Sequence, residues 1–455
     1  MQRVAVINVV GLTSSLIGES TPAINAFAER NRQSSIKPAF PAVTCTAQSN
    51  MATGATPAEH GAVANGWYSR DYNEVQFWKQ SNRLVQHDKI WDELKAADET
   101  FTCAKLFWWY NMYASVDFSI TPRPMYPADG RKVFDVYTQP MEMRDAIKAD
   151  IGAFPFHTFW GPRAGIESSQ WIANSAKWVE ETHEPTLNLV YLPHLDYNLQ
   201  RLGPSHPDIA DDLRAIDEVV GDLIAFFEAR AVQVLLLSEY GISDVDHPVH
   251  LNRVFREEGW ISIKDELGLE QLDCGASQAF AVADHQVAHI YVNDPGLLET
   301  VKATVENVPG VERVLDEAGK REYGIDHERS GDLVAISDPN AWFTYYYWLD
   351  DAVAPDFARC VDIHRKVGYD PVELFIDPKL KLPALPIAKF LAKKKLGFRA
   401  LLDVIPLDAT LVKGSHGRIP EDRGEWPVFI GPASIDGVRE STEVYGAIRN
   451  AVLDS

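Results

Sequence analysis

The sequence predicts an α/β fold: a doubly wound, mostly parallel sheet with helices on both faces, plus an inserted small α+β cap. Three observations predict it. Val4–Val10, Leu187–Leu192 and Val232–Leu237 are short, nearly continuous apolar runs, the pattern of strands buried on both faces. Asp208–Ala229, between the last two, carries Ile209, Leu213, Ile216, Val220, Leu223 and Phe227 at helical spacing. Strands alternating with helices in this way form parallel sheets covered on both sides. Third, the chain changes character from about residue 255 to 345. The predicted organisation is a core of residues 1–254 and 346–455, with 255–345 as the inserted cap.

Each element has a local reason. Val4–Val10 is the first strand, interrupted only by Asn8. A helix follows from Thr21-Pro22 through Arg30, with Thr21 expected as N-cap and Pro22 at the first helical position. Within 255–345, His289–Asn293, Val311–Leu315 and Asp332–Ser337 read as strands and Leu297–Asn307 as a helix. Leu382–Arg399 is locally basic, with Lys389, Lys393, Lys394, Lys395 and Arg399; it reads as a solvated helix face or a contact for an anionic surface. Trp426–Pro432 returns to core-like sequence. The aromatic runs Phe107–Tyr113 and Trp342–Trp348 suit a core, or a cleft that holds a planar group.

Composition narrows the function. Hydrophobic residues make up 46% and charged residues 24% of 455, globular proportions. A formal charge of −22 repels phosphate backbones, which argues against a nucleic-acid polymer as partner. A small phosphorylated substrate is still allowed, because a metal ion can reverse the potential inside a cleft. Cys45, Cys103, Cys274 and Cys360 stand far apart, so neither a zinc knot nor a disulfide framework is expected. MQRVAVINVVGL reads as a strand and not as a signal peptide, and no transmembrane segment is expected. The expected location is cytoplasmic.

The segment Phe40–Tyr68 (FPAVTCTAQSNMATGATPAEHGAVANGWY) carries the chemistry. A threonine there is a weak nucleophile until a base or metal activates it. The order FPxxT, TG, xxP, xxHG and a following Asn resembles the nucleophile region of type I phosphodiesterases/nucleotide pyrophosphatases and phosphonate hydrolases, in the alkaline-phosphatase superfamily. The resemblance implies Thr44 as nucleophile at a helix N-terminus, Asn65 as the group that binds a phosphoryl oxygen, and His60 in a structural turn. Further blocks resemble the family in order. Leu192–Pro204 (LPHLDYNLQRLGP) implies Asp196 as a metal ligand, Leu236–Ile242 (LLSEYGI) implies Glu239, and Gly414–Gly417 (GSHG) implies His416.

The same comparison exposes departures. Gln200 stands where the family has a His, Glu239-Tyr240 where it has Asp-His, and Val10 where it has an Asp. Asn8 shares a strand face with Val10 and offers an amide oxygen without charge. Gln200 and Tyr240 are weak substitutes for imidazole toward zinc. Ala283–His289, with Asp284, His285 and His289, could compensate, as could His194 and His250. The preferred supplement is Asp362/His364, chosen on composition beside Arg365 and Lys366. The expectation is a hydrolase of a phosphodiester, pyrophosphate or phosphonate bond that works through a phospho-threonine. Its cofactor is a divalent metal, zinc, as one or two ions, and its partner is a small phosphorylated or phosphonate substrate. The alternative is a catalytically reduced relative that binds a phosphorylated metabolite or a partner protein.

Overall fold

A computed structural model of the chain describes residues 1–453 except 383, 397, 399, 400 and 436. Arg399 of the basic segment therefore lies outside the described residues. The central sheet has eight strands: β1 (Val4–Val9), β2 (Arg32–Ser35), β3 (Cys103–Leu106), β4 (Phe118–Pro122), β5 (Val136–Gln139), β6 (Leu187–Leu192), β7 (Gln233–Leu237) and, late in the chain, Val428–Gly431. Across the sheet the order is β2, Val428–Gly431, β7, β1, β6, β3, β4, β5. β7, β1, β6, β3 and β4 run parallel. The edges at β5 and at Val428–Gly431 with β2 are antiparallel. The three strands expected from apolar runs lie side by side at the centre, which is why they are predominantly apolar.

The long helix spans Ile209–Glu228, and all six residues of its expected stripe are buried. Each such side chain contributes roughly 1.5–3 kcal/mol of hydrophobic stabilisation before chain entropy is counted. Asp217 is buried on the same helix and has a different task. Its carboxylate accepts from Ala23 N at 2.9 Å and Ile24 N at 2.8 Å, at the start of the helix Pro22–Glu29. The expected N-cap, Thr21, makes no side-chain cap; its hydroxyl accepts from Gly18 N. The free N–H groups of that helix are thus satisfied from across the core, where a charged acceptor is stronger than a hydroxyl.

A second sheet is antiparallel, with strands β8 (Ala279–Asp284), β9 (Val287–Val292), β10 (Val311–Leu315) and β11 (Leu333–Ser337) in the order β8, β9, β11, β10. The helix Leu298–Glu306 accompanies it. The run Trp342–Trp348 is fully buried within the hydrophobic cluster behind this sheet, so it is core. Among the described residues no helix is long and apolar enough to cross a membrane.

Candidate active site

The site lies beyond the carboxyl ends of β1, β6 and β7, where ligands bind in open parallel sheets. Thr44 opens the helix Thr44–Thr53, which is buried along its whole length. Small and hydroxylated residues suit that position because the hydroxyls after Thr44 find backbone acceptors. Thr46 donates to Ala62 O at 2.9 Å, Ser49 to Cys45 O at 2.7 Å and Thr53 to Ser49 O at 2.7 Å. The helix stops at Gly54, whose φ of 69° favours glycine.

The structure brings Thr44, Asn65, Asp196, Glu239 and His416 together, and all five are buried. Tyr240 OH donates to Asp196 Oδ1 at 3.2 Å, and its oxygen lies 3.1 Å from Thr44 Oγ1. A phenol has a single proton, so Tyr240 accepts from Thr44. Gln200, one helical turn after Asp196, donates to Asp196 Oδ2 at 2.7 Å and receives Tyr369 OH at 3.2 Å. Glu239 Oε1 accepts from Asn8 Nδ2 at 2.6 Å and from Gln48 Nε2 at 2.5 Å. Asn8 thus serves the site through its amide nitrogen, while its oxygen, which the sequence offered as a donor atom, has no partner. Val10 is buried and takes no polar part.

Asn65 is also engaged. Its Oδ1 accepts from Cys45 N at 3.0 Å, satisfying a free N–H of the Thr44 helix, and its Nδ2 donates to Asp284 Oδ1 at 3.1 Å. Asp284 ends β8, and His285-Gln286 form the turn into β9. His285 holds a φ of 61°, a left-handed conformation uncommon for a residue with a side chain. From this turn its ring packs between Tyr369 and His416, with centroids 3.7 Å from each. Tyr240 stacks on the other face of His416 at 3.8 Å.

Burial dominates the electrostatics. It raises the pKa of Glu239 to about 8, of Asp196 to about 7 and of Asp284 to about 6. It lowers His416 and His285 well below the usual imidazole range, so both are neutral. Among the described residues no Lys or Arg pairs with any of the three carboxylates. His416 Nδ1 donates to Ala42 O at 2.7 Å and His285 Nδ1 to Asp284 Oδ1 at 2.8 Å. Both Nε2 atoms are buried without a hydrogen-bond partner, as is Glu239 Oε2. An imidazole tied through Nδ1 with a free Nε2 lone pair is the form that ligates metals.

A cation bound here would be held through Asp196 and these free imidazole nitrogens. On one side Asp196, His416 and His285 offer a carboxylate and two free imidazole nitrogens. On the other, Val10 offers no polar atom, Tyr240 offers only a phenol, and Glu239 Oε1 already takes two amides. As placed, the donors bond to one another, and among the described residues no three His, Cys, Asp or Glu side chains form a ready-made metal group.

The remaining candidates lie elsewhere in the bonding pattern. His364 Nδ1 faces Phe77 O at 3.2 Å, and Asp362 N donates to Glu373 Oε1 at 3.0 Å; neither is hydrogen-bonded to the Thr44–Asp196 group. His60 binds Asn50 at 2.8 Å and accepts from Ala62 N at 3.1 Å, a satisfied core histidine. His289 is likewise held between Val63 O and Gly331 N, and His250 meets Thr344. His194 faces Asp212. Gln48 is a site residue that sequence reasoning missed. Its only signal is position, one helical turn after Thr44 on the same face.

The family model for Type I phosphodiesterase / nucleotide pyrophosphatase matches residues 4–370. An uncharacterised pyrophosphatase/phosphodiesterase of Schizosaccharomyces pombe is 23% identical over 258 residues, covering 53% of this chain and 46% of that protein. The matched part thus spans less than half the length of that curated relative. Among solved structures, human ectonucleotide pyrophosphatase/phosphodiesterase 5 superposes with a TM-score of 0.61 at 14% identity, covering 99% of this chain and 95% of that one. An inactive variant of the murine protein in complex with AMP gives 0.59 at 14%, covering 100% and 95%. Phosphonoacetate hydrolase from Sinorhizobium meliloti, in complex with phosphonoformate, gives 0.60 at 12%, covering 99% and 95%. At these identities the solved structures speak for the fold.

Proposed function

Because the chain belongs to the type I phosphodiesterase/nucleotide pyrophosphatase family, we propose that it hydrolyses a phosphodiester, pyrophosphate or phosphonate bond in a small substrate, using Thr44 and one divalent cation, zinc. One observation carries this reading. A threonine hydroxyl at a buried helix start shares its site with two neutral imidazoles whose Nε2 atoms have no hydrogen-bond partner. A phosphoryl group placed there would meet three carboxylates, and a cation offsets that charge. Asp196, His416 and His285 would hold it. When bound, it supplies Lewis-acid polarisation of a phosphoryl oxygen.

The chain's own residues perform the rest. Glu239, whose Oε2 is uncommitted, takes the hydroxyl proton in its ionised form, which its pKa near 8 places at alkaline pH. Thr44 Oγ1 bonds to phosphorus as the leaving group departs, and water then cleaves the phospho-threonine. The N–H groups and dipole of the Thr44 helix favour the negative charge that gathers on the phosphoryl oxygens. Asn65 orients the first turn by accepting from Cys45 N. The four cysteines are buried and free, which supports a cytoplasmic location.

The test is metal analysis of zinc-supplemented protein, followed by assays on p-nitrophenyl mono- and diesters, pyrophosphate and a phosphonate. Turnover that Thr44→Ala abolishes is expected. No turnover by zinc-loaded wild type, or full turnover by Thr44→Ala, overturns the proposal. A second reading has its own support: Asn65 Nδ2 is committed to Asp284, and Tyr240 stands between Thr44 and Asp196. It is a catalytically reduced member that binds a phosphorylated metabolite or partner without turning it over. Calorimetric binding of a nucleotide without hydrolysis would select it.

A further inference from the structure

The segment after Asp377 contrasts with the rest of the molecule. From Pro378 to Leu402 the sequence holds six Lys and one Arg and no Asp or Glu, within a chain of net charge −22. Its helix spans Ala384–Lys395. Lys379, Lys381, Lys389, Lys393 and Lys395 are exposed.

Apolar side chains are exposed beside them. Ile376, Leu382, Leu391, Leu396, Phe398 and Leu401 are six of the fourteen exposed large hydrophobic side chains among the described residues; the other eight are scattered over the remaining chain. Leu396 is 73% exposed and Phe398 64%. The segment is nevertheless seated, because Leu380, Ile387 and Leu402 pack against the hydrophobic cluster behind the small sheet. It is anchored through Leu380, Ile387 and Leu402 and leaves leucines, a phenylalanine and lysines exposed.

We propose that the exposed lysines, leucines and Phe398 described between Ile376 and Leu401 form a docking surface for the face of a lipid bilayer that carries anionic headgroups. Charge complementarity selects this occupant. An acidic protein is repelled by an anionic membrane everywhere except at a patch of opposite sign, so this patch also sets the orientation of docking. Lysines beside exposed leucines and phenylalanine match the two parts of a bilayer surface: headgroup charge outside and acyl chain just below. The helix lies on the surface and does not cross it, in keeping with its short length.

The test is sedimentation of the intact protein with vesicles of phosphatidylcholine alone and of phosphatidylcholine mixed with phosphatidylglycerol, at low and high salt. Binding to the mixed vesicles that weakens with salt is expected, with little binding to phosphatidylcholine alone. Each of Lys389→Gln, Lys393→Gln and Lys395→Gln should lower the partition coefficient about five-fold. Leu391→Ser, Leu396→Ser and Phe398→Ser should each lower it about ten-fold. These side chains are exposed, so unchanged circular dichroism and melting are expected. Wild type that fails to bind the mixed vesicles, or binding that survives both sets of substitutions, overturns the proposal. A dimer in light scattering that Leu396→Ser dissociates, without any vesicle binding, would give the patch to a second copy of the chain and also overturn it.

Discussion

Replacing Lys105 with methionine should make the protein more stable. Lys105 sits on β3, is 2% exposed, and donates to Tyr110 O at 2.7 Å with its ammonium 4.9 Å from the centre of the Trp91 ring. Among the described residues no carboxylate pairs with it. Burial lowers its pKa from 10.5 to about 7, a shift that corresponds to about 5 kcal/mol. Methionine has nearly the same volume and no charge. The substitution forfeits one hydrogen bond and one cation–π contact, about 1 kcal/mol each. Tyr110 O keeps a partner, because Asn82 Nδ2 also donates to it at 2.8 Å. The net expectation is a gain of about 3 kcal/mol at pH 7 and below. The sign of the pH dependence follows. Above pH 7 the folded lysine is neutral while the unfolded one stays protonated up to its ordinary pKa, so wild-type stability rises between about pH 7 and 10. The variant lacks that rise, so its advantage shrinks over the same window. Urea unfolding of both proteins at pH 6, 7, 8 and 9.5 measures this directly. A variant less stable than wild type at pH 6, or one with the same pH slope, would refute the account of Lys105 as an unpaired buried base.

Other expectations concern the site. Thr44→Ala should abolish turnover of any phospho-substrate the wild type hydrolyses, while Thr44→Ser keeps part of it, read by steady-state rates on folded variants. Glu239→Gln should stabilise the metal-free protein at alkaline pH. Its folded pKa is raised from 4.5 to about 8, so the wild type loses stability as pH rises from 4.5 and the loss is complete above 8. The variant should lose that component in melts taken from pH 5 to pH 9. Gln200→His restores an imidazole one helical turn from Asp196 and should tighten zinc binding about ten-fold or more, measured by competition with a chelating dye.

Much of the architecture is legible in the residues. β1, β6 and β7 are buried almost throughout, so few polar residues break their runs; of these Asn8 turns out to serve Glu239 and Asn188 donates to Glu180. Leu187–Leu192 and Val311–Leu315 match their strands end to end. Thr21 failed as a cap for a nonlocal reason: the competing acceptor, Asp217, arrives from 194 residues away. The same limit governs the site. Thr44, Asp196, Glu239 and His416 could be picked out because they sit in ordered blocks. The Asp284–His285 pair was visible in sequence, yet nothing in its neighbours says that a tight turn carries it from the small sheet to Asn65 and His416. Composition drew attention to Asp362 and His364 instead, and composition has no direction; their hydrogen bonds go to Glu373 and Phe77.

The ring column Tyr240–His416–His285–Tyr369 has a consequence for how such a chain can change over time. Four rings in successive contact, all buried, form one packing unit shared by the core and the small sheet. A Tyr240→His substitution would remove part of a ring from a closed interior and unmake the hydroxyl link between Thr44 and Asp196. Void formation of this kind destabilises by about 1 kcal/mol or more. Changing position 240 alone therefore lowers stability before any catalytic gain arrives. Packing by itself thus constrains this position, whether or not Tyr240 takes part in catalysis.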